Sequence, residues 1–173
     1  MSRSPIRFMA FFELWAEHKK WHIPDLHYEI AEWLEEIWEN RVDVGEAVLE
    51  VFRGASKSTI LAIFNAWLLR QNPDWHVLVQ SADDGVAKKL TADTKGVIRR
   101  HKLCSGMQDN RLWATQQFSV YGNEDYRNAS CSAHGIFSNV TSARADLVEF
   151  DDVEVPKNCA TALRREELRT RMD

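Results

Sequence analysis

The sequence predicts an α/β fold in which a central, mostly parallel sheet is flanked by helices and preceded by a helical extension. From residue 46 onward, short apolar runs alternate with stretches whose apolar residues recur every three or four positions. This alternation is typical of parallel strands joined by crossover helices. Because ligands bind beyond the carboxyl ends of such strands, polar residues that directly follow a predicted strand are candidates for a functional site.

Composition places the chain among single globular domains. It has 173 residues, of which 45% are hydrophobic and 28% charged. The net charge of −4 argues against a general DNA-coating protein, although it leaves room for a local basic patch. The cysteines at 104, 131 and 159 have the spacing of neither a disulfide framework nor a zinc site. With no membrane-length apolar run and no signal-peptide pattern, we expect a cytoplasmic protein.

Residues 1–44 are predicted to form the helical extension, as a lid or a docking surface. Ser4 and Pro5 predict the start of a first helix, with serine as N-cap and proline at the first helical position. Asp25 predicts the cap of a second helix, whose apolar residues follow helical spacing up to Ile37.

Residues 45–173 are predicted to form the core of the fold. The predicted elements are a strand at 46–52, a helix at 57–71, a strand at 75–82, a helix at 83–101, an irregular stretch at 103–114, strands within 116–122, 130–137 and 145–154, and a charged helix at 161–172. Residues 88–102 carry six Lys or Arg against one Asp. Their basic helix face either contacts DNA or is simply solvated.

The stretch EVFRGASKSTILAIFNAW contains the first candidate site. A phosphate-binding loop needs backbone N–H groups at a helix N-terminus, a lysine that reaches the β- and γ-phosphates, and a hydroxyl for Mg²⁺. Lys57 and Ser58 supply the lysine and the hydroxyl. The consensus Gly-x-x-x-x-Gly-Lys-[Ser/Thr] is broken, because Val51 and Ser56 replace its glycines and only Gly54 remains. The alternative is an ordinary turn with an exposed lysine.

Asp151 and Asp152 form the second candidate site, directly after the predicted strand LVEF. In P-loop enzymes an aspartate that ends a hydrophobic strand helps to hold Mg²⁺, and a following carboxylate can orient the attacking water. Glu149 interrupts the apolar run. The alternative is a solvated acidic loop. Together with Lys57 and Ser58, the two aspartates favour ATP chemistry at one edge of the sheet.

Three segments carry a resemblance to a known family, namely FRGASKST, VLVQSADDGVAKKL and AHGIFSNVTSARADLVEFDDVEVPKN. Over roughly residues 25–160 the chain resembles the ATPase domain of the large terminase subunit of tailed bacteriophages. The resemblance implies a P-loop NTPase fold of the RecA-like ASCE type for residues 45–173. It also implies that the last strands of the ATPase domain and a nuclease domain would follow this chain, which has no room for them.

The family's activity supplies a functional expectation. The resemblance implies a motor ATPase that drives double-stranded DNA into a procapsid, with ATP and Mg²⁺ as cofactors. The implied partners are the portal protein, the small terminase subunit, DNA and further copies of the chain in a ring. The implied location is the host cytoplasm and, transiently, the portal of the procapsid. The implied ATP-binding residues are Arg53, Gly54, Ala55, Ser56, Lys57, Ser58 and Thr59.

The resemblance also implies individual roles. Ser58 would bind Mg²⁺ directly, and Asp151 would bind it through water. Asp152 would orient or deprotonate the attacking water, with Glu154 in reserve two residues on, on the same face if the strand continues. Arg53 would sense the γ-phosphate.

Arg144 is a candidate arginine finger toward a neighbouring subunit, or alternatively a surface partner of Asp146. His27 and Tyr28 would contact the adenine, unless they belong to a plain amphipathic helix.

Two rival functions remain open from the sequence. The missing glycines favour a P-loop-shaped docking module that does not turn over ATP. Another DNA-translocating ATPase, such as a helicase, also fits the motifs.

Overall fold

The computed structural model describes residues 4–140 and 144–172. The helices are α1 (Phe8–Lys19), α2 (Asp25–Glu39), α3 (Arg41–Val44), α4 (Lys57–Gln71), α5 (Asp84–Arg100), α6 (Pro156–Cys159) and α7 (Ala162–Met172). The strands are β1 (Val77–Ser81), β2 (Gln108–Trp113), β3 (Gln117–Val120), β4 (Cys131–Gly135) and β5 (Leu147–Phe150). The predicted α/β class is confirmed.

The strands form one sheet in the order β2-β3-β4-β1-β5. The central strand β1 pairs in parallel with β4 on one side and with β5 on the other. The pairs β2–β3 and β3–β4 are antiparallel, so the sheet is mixed. A short connection between β2 and β3 permits only the antiparallel arrangement, because a parallel pair needs a long crossover. The carboxyl ends of β1, β4 and β5 therefore share one edge of the sheet.

The helical extension packs into the main core. Phe8, Phe11 and Phe12 of α1 are buried, and the ring of Phe8 lies 5.0 Å from that of Phe64 and 5.4 Å from that of Trp67 in α4. Edge-on aromatic contacts of this kind add to the free energy gained from burial. The extension thus fixes one side of α4, the helix that begins with Lys57.

The first helix begins at Phe8, so the predicted start at Ser4 and Pro5 is wrong. The reason is a distant carboxylate. Glu35 of α2 accepts hydrogen bonds from the Phe8 backbone N–H at 3.0 Å and from the Arg7 guanidinium at 3.0 Å. A negative charge at a helix N-terminus satisfies its free N–H groups and is favoured by the helix dipole.

The predicted strand at 46–52 is also wrong. None of the described strands pairs with it, and Val48 and Phe52 are exposed. Its half-buried Leu49 and Val51 pack against the core instead. The apolar alternation fits a strand, but such a pattern reflects the burial of side chains and does not itself supply a pairing partner.

The prediction of an irregular stretch at 103–114 is wrong as well, because this stretch contains the strand β2. The helix predicted at 57–71 matches α4 at both ends, and the other predicted strands and helices of the core are confirmed with shorter bounds. Of the helices in the described part of the chain, none combines the length and the apolar character that crossing a membrane requires.

Candidate functional site

The loop before α4 makes a tight turn with two residues of positive φ. Gly54 has φ of 93° and Ser56 has φ of 59°. The Ala55 N–H donates to the Phe52 carbonyl at 3.1 Å and closes the turn. Ser56 stands where the consensus has glycine, and it adopts the left-handed conformation that glycine reaches at lower cost. Ser56 therefore gives the loop the backbone conformation that glycine usually provides, although serine has a side chain.

Lys57, the first residue of α4, lies between the two aspartates. Its Nζ is 3.1 Å from Asp151 Oδ1 and 3.2 Å from Asp152 Oδ1. Partial burial alone would lower the pKa of Lys57, but the two carboxylates outweigh burial and raise its pKa above the usual value. The lysine is therefore firmly cationic, and its ammonium has a third N–H donor besides the two that face the carboxylates.

Ser58 and Asp151 form the most direct link between loop and sheet. Ser58 Oγ donates to Asp151 Oδ2 at 2.7 Å, although the two residues lie 93 positions apart in the chain. Asp151 is buried, and its backbone N–H donates to the Gln80 carbonyl at the end of β1 at 2.9 Å. The backbone of the sheet thus holds this carboxylate beside the N-terminus of α4.

Asp152 follows in the left-handed conformation, with φ of 49°. Its side chain is 69% exposed and points to Lys57. Since β5 ends at Phe150, the strand does not continue to Glu154, which is exposed. The condition that would place Glu154 on the face of Asp152 is therefore not met.

A cavity of about 200 Å³ lies beside the loop. Its lining residues are Phe12, Trp21, His22, Ile23, Pro24, His27, Ser56, Thr59 and Ile60. The cavity joins the connection between α1 and α2 to the first turn of α4. It brings Thr59 and His27, two residues that the sequence singles out, to one apolar, partly aromatic space next to the loop before α4. Arg53 is exposed in the turn itself.

Arg144 lies at the other end of β5. Six residues separate it from Asp151, and the four of them that form the strand alone span about 13 Å. Its guanidinium is 62% exposed and 3.9 Å from Asp146, which also accepts a hydrogen bond from the His76 backbone N–H at 2.9 Å. The structure therefore does not bring Arg144 to the aspartates and lysine of its own chain.

One contact of the site region was missed by sequence reasoning. Asn65 Nδ2 donates to Glu149 Oε2 at 2.7 Å, and both side chains are buried. Burial raises the pKa of Glu149 to about 8, with a further contribution from Asp151 and against the effect of Asn65. Two features of the sequence indicate this contact. Glu149 interrupts the apolar run of β5, and Asn65 lies in an apolar stretch of α4.

No protein-family profile matches the chain. A protein described as "Terminase, large subunit", from Enterobacteria phage T3, is 31% identical over 129 residues. The chain is related to a phage large terminase subunit. This finding confirms the resemblance predicted from the motifs. The matched residues make up 71% of the chain, which spans only 21% of the phage protein.

The atoms at this edge of the sheet fit Mg²⁺ in chemical type. Mg²⁺ takes oxygen ligands, and it usually binds one or two carboxylates together with waters and substrate phosphates. Ser58 Oγ and the carboxylate of Asp151 are such oxygens. No cluster of three or more His, Cys, Asp or Glu that could hold a metal ion occurs in the described residues.

Proposed function

We propose that this chain binds ATP with Mg²⁺ between the loop 53–59 and the aspartates 151 and 152, and that it contributes the ATPase part of a phage DNA-packaging motor. The observation that carries the proposal is the convergence of Lys57 and Ser58 with Asp151 and Asp152 at the end of a sheet strand. The relationship to a large terminase subunit supports the packaging role. The P-loop NTPase fold is part of this proposal.

Each residue has a role that suits its chemistry. Lys57 binds the β- and γ-phosphates, and the N–H groups from Gly54 to Ser56 face the phosphates at the start of α4. Ser58 and Asp151 hold Mg²⁺, whose chemistry here is to neutralise charge on the phosphates. Asp152 is exposed enough to orient a water molecule, and Arg53 lies in the turn where it can reach the γ-phosphate. The cavity beside Thr59 and His27 takes the base.

The test is calorimetric binding of ATP in the presence of Mg²⁺. Lys57→Ala removes the main phosphate cation, and a charge-assisted hydrogen bond contributes about 1.5–3 kcal/mol. We therefore expect affinity to fall roughly 10- to 150-fold. Lys102→Ala is the matched control, because this exposed lysine has only a 3.7 Å ion pair with Glu17. Equal affinity of the Lys57→Ala protein and the unaltered protein would remove Lys57 from the site.

Arg144 is proposed to act on a neighbouring subunit. Its exposed guanidinium, on the far side of β5 from its own Lys57, supports an action in trans. Arg144→Ala should barely change the basal turnover of an isolated subunit but should lower that of an assembled ring by about 100-fold or more. In mixed rings, a subunit with Lys57→Ala and an intact Arg144 should restore activity to a neighbour with Arg144→Ala. Absence of rescue would leave Arg144 as a surface partner of Asp146.

A docking module without turnover is the second candidate. The observation that favours it is the segment 46–52, which precedes the loop without pairing to a described strand and exposes Val48 and Phe52. The two candidates differ in one measurement. If the chain is a motor ATPase, adding it to the assembled packaging complex raises the rate at which phosphate is released from ATP. If it is a docking module, it binds its partner in the complex and leaves that rate unchanged. The proposed partners of either are the portal protein, the small terminase subunit and double-stranded DNA.

A further inference from the structure

A second polar contact joins the same two elements beneath the proposed site. Asn65 and Glu149 meet at 2.7 Å, as Ser58 and Asp151 do. Asn65 follows Ser58 by about two helical turns, and Glu149 precedes Asp151 by two strand positions. Both contacts therefore link one face of α4 to one face of β5.

The buried contact between Asn65 and Glu149 stabilises the fold less than an apolar pair at the same position would. Asn65 is fully buried, and its chain neighbours in α4, Phe64 and Ala66, are buried and apolar. Its Oδ1 has no hydrogen-bond partner within the part of the chain that the structure describes. Burying an amide and a carboxyl group costs free energy that a packed apolar pair does not lose. What the polar pair adds is direction, because a hydrogen bond requires a defined distance and angle.

We propose that Asn65 and Glu149 are a positioning pair, which fixes α4 against β5 so that Ser58 meets Asp151. On the side that faces β5, the Ser58–Asp151 contact alone fixes only the first turn of α4. A second contact two turns further along fixes the body of the helix against the strand. The consequence for Mg²⁺ and ATP rests on the proposed function, but the geometric consequence does not.

The decisive variant replaces both partners, Asn65→Leu with Glu149→Met. Because neither group is then left unpaired, the temperature of unfolding should stay within a few degrees of that of the unaltered protein. In a crystal structure of the variant, the Ser58 Oγ to Asp151 Oδ2 distance should exceed 3.5 Å, beyond hydrogen-bond reach. The dissociation constant for ATP with Mg²⁺ should rise tenfold or more. A merely structural pair would change the temperature of unfolding and leave the distance as it is.

Three further variants complete the test. Glu149→Gln keeps an acceptor for Asn65, so it should retain both the distance and the dissociation constant within twofold. Thr94→Val is the control, because Thr94 is buried and its hydroxyl, among the residues that the structure describes, bonds within its own helix, to the Leu90 carbonyl at 2.9 Å. If the double variant does not fold, Asn65→Leu alone gives the distance and the dissociation constant, while its temperature of unfolding should fall because Glu149 is left without its partner.

Two outcomes would overturn the inference. One is an unchanged Ser58–Asp151 distance without the pair, and the other is an equal lengthening in Thr94→Val. Failure of the unaltered protein to bind ATP would instead contradict the proposed function, and the measured distance would still decide whether Asn65 and Glu149 position α4.

Discussion

Helix α4 has two sides that are held by different forces. One side packs in an aromatic cluster, formed by Phe8, Phe12, Phe64 and Trp67. The other side meets β5 in the α4–β5 interface, whose polar side chains are Lys57, Ser58, Asn65, Glu149, Asp151 and Asp152. The first is apolar and mostly buried, whereas the second mixes buried and exposed charges.

The difference separates stability from function. Contacts in the aromatic cluster depend on area and packing, so they stabilise the fold without demanding one orientation of each group. Contacts in the α4–β5 interface depend on charge and direction, so they fix the relative position of the groups that they join. Substitutions in the cluster should therefore lower the free energy of unfolding, and substitutions in the interface should act mainly on binding and turnover.

The largest expected effect is on stability. Phe8→Ala leaves a cavity at a fully buried position that contacts Phe64 and Trp67. We expect the free energy of unfolding to fall by about 3–5 kcal/mol, measured by urea titration. Leu163→Ala is the control, since this side chain is 79% exposed and should cost less than about 0.5 kcal/mol. Equal effects of the two changes would show that α1 is not part of the core.

The next effect falls on turnover. Asp152→Asn removes a carboxylate that orients or accepts a proton from water, so phosphate release in the assembled complex should slow about 100-fold or more. ATP affinity should stay nearly unchanged, because the group acts in the transition state. Stability should change by less than about 1 kcal/mol, since the ion pair with Lys57 is exposed and asparagine tolerates the left-handed φ of 49°.

Glu154→Gln is the matched control for that experiment. Glu154 is exposed just beyond the end of β5, where it does not share the conformation of Asp152. If Glu154→Gln slows turnover while Asp152→Asn does not, the roles of the two carboxylates are reversed.

The sequence predicts the parts of the fold that depend on local pattern. The bounds of α4, the positions of β1 and β5 and the α/β class all follow from apolar spacing within one segment. The approach of Lys57 to Asp151 is predicted from strand ends that share an edge, but residues 46–52 pair with none of the described strands, so the two residues meet without the strand on which that prediction depends.

The rest depends on partners far away in the chain. The start of α1 is decided by Glu35, 27 residues from Phe8, and no local cap reveals it. The segment 46–52 has the pattern of a strand, but pairing is a property of its neighbours. The contact of Asn65 with Glu149 joins residues 84 positions apart, so each looks like an isolated irregularity when read alone.

His101 is a titratable group that is buried among aromatic rings, away from the charged groups of the α4–β5 interface. Its ring stacks on Phe11 with 3.8 Å between centroids. Nδ1 accepts from the Leu103 N–H at 3.1 Å, so Nε2 is the protonated nitrogen that faces the Phe11 carbonyl at 3.0 Å. Burial lowers the pKa of His101, although the Phe11 carbonyl opposes this effect. A second proton at Nδ1 would displace the bond from Leu103.

The smallest expected effect is therefore a loss of stability in mild acid. Since the pKa of His101 is lower in the folded chain than the usual value of about 6.5, the unfolded chain takes up the proton first as pH falls. The stability that His101 contributes is complete above pH of about 6.5 and declines below it. We expect the free energy of unfolding to drop between pH 7.5 and 5.5, and His101→Phe, which keeps the stacking but cannot titrate, to show a smaller drop. His22→Asn is the control, because His22 is exposed and its replacement should leave the drop unchanged. An identical drop in His101→Phe and in the unaltered protein would show that the buried imidazole is not its source.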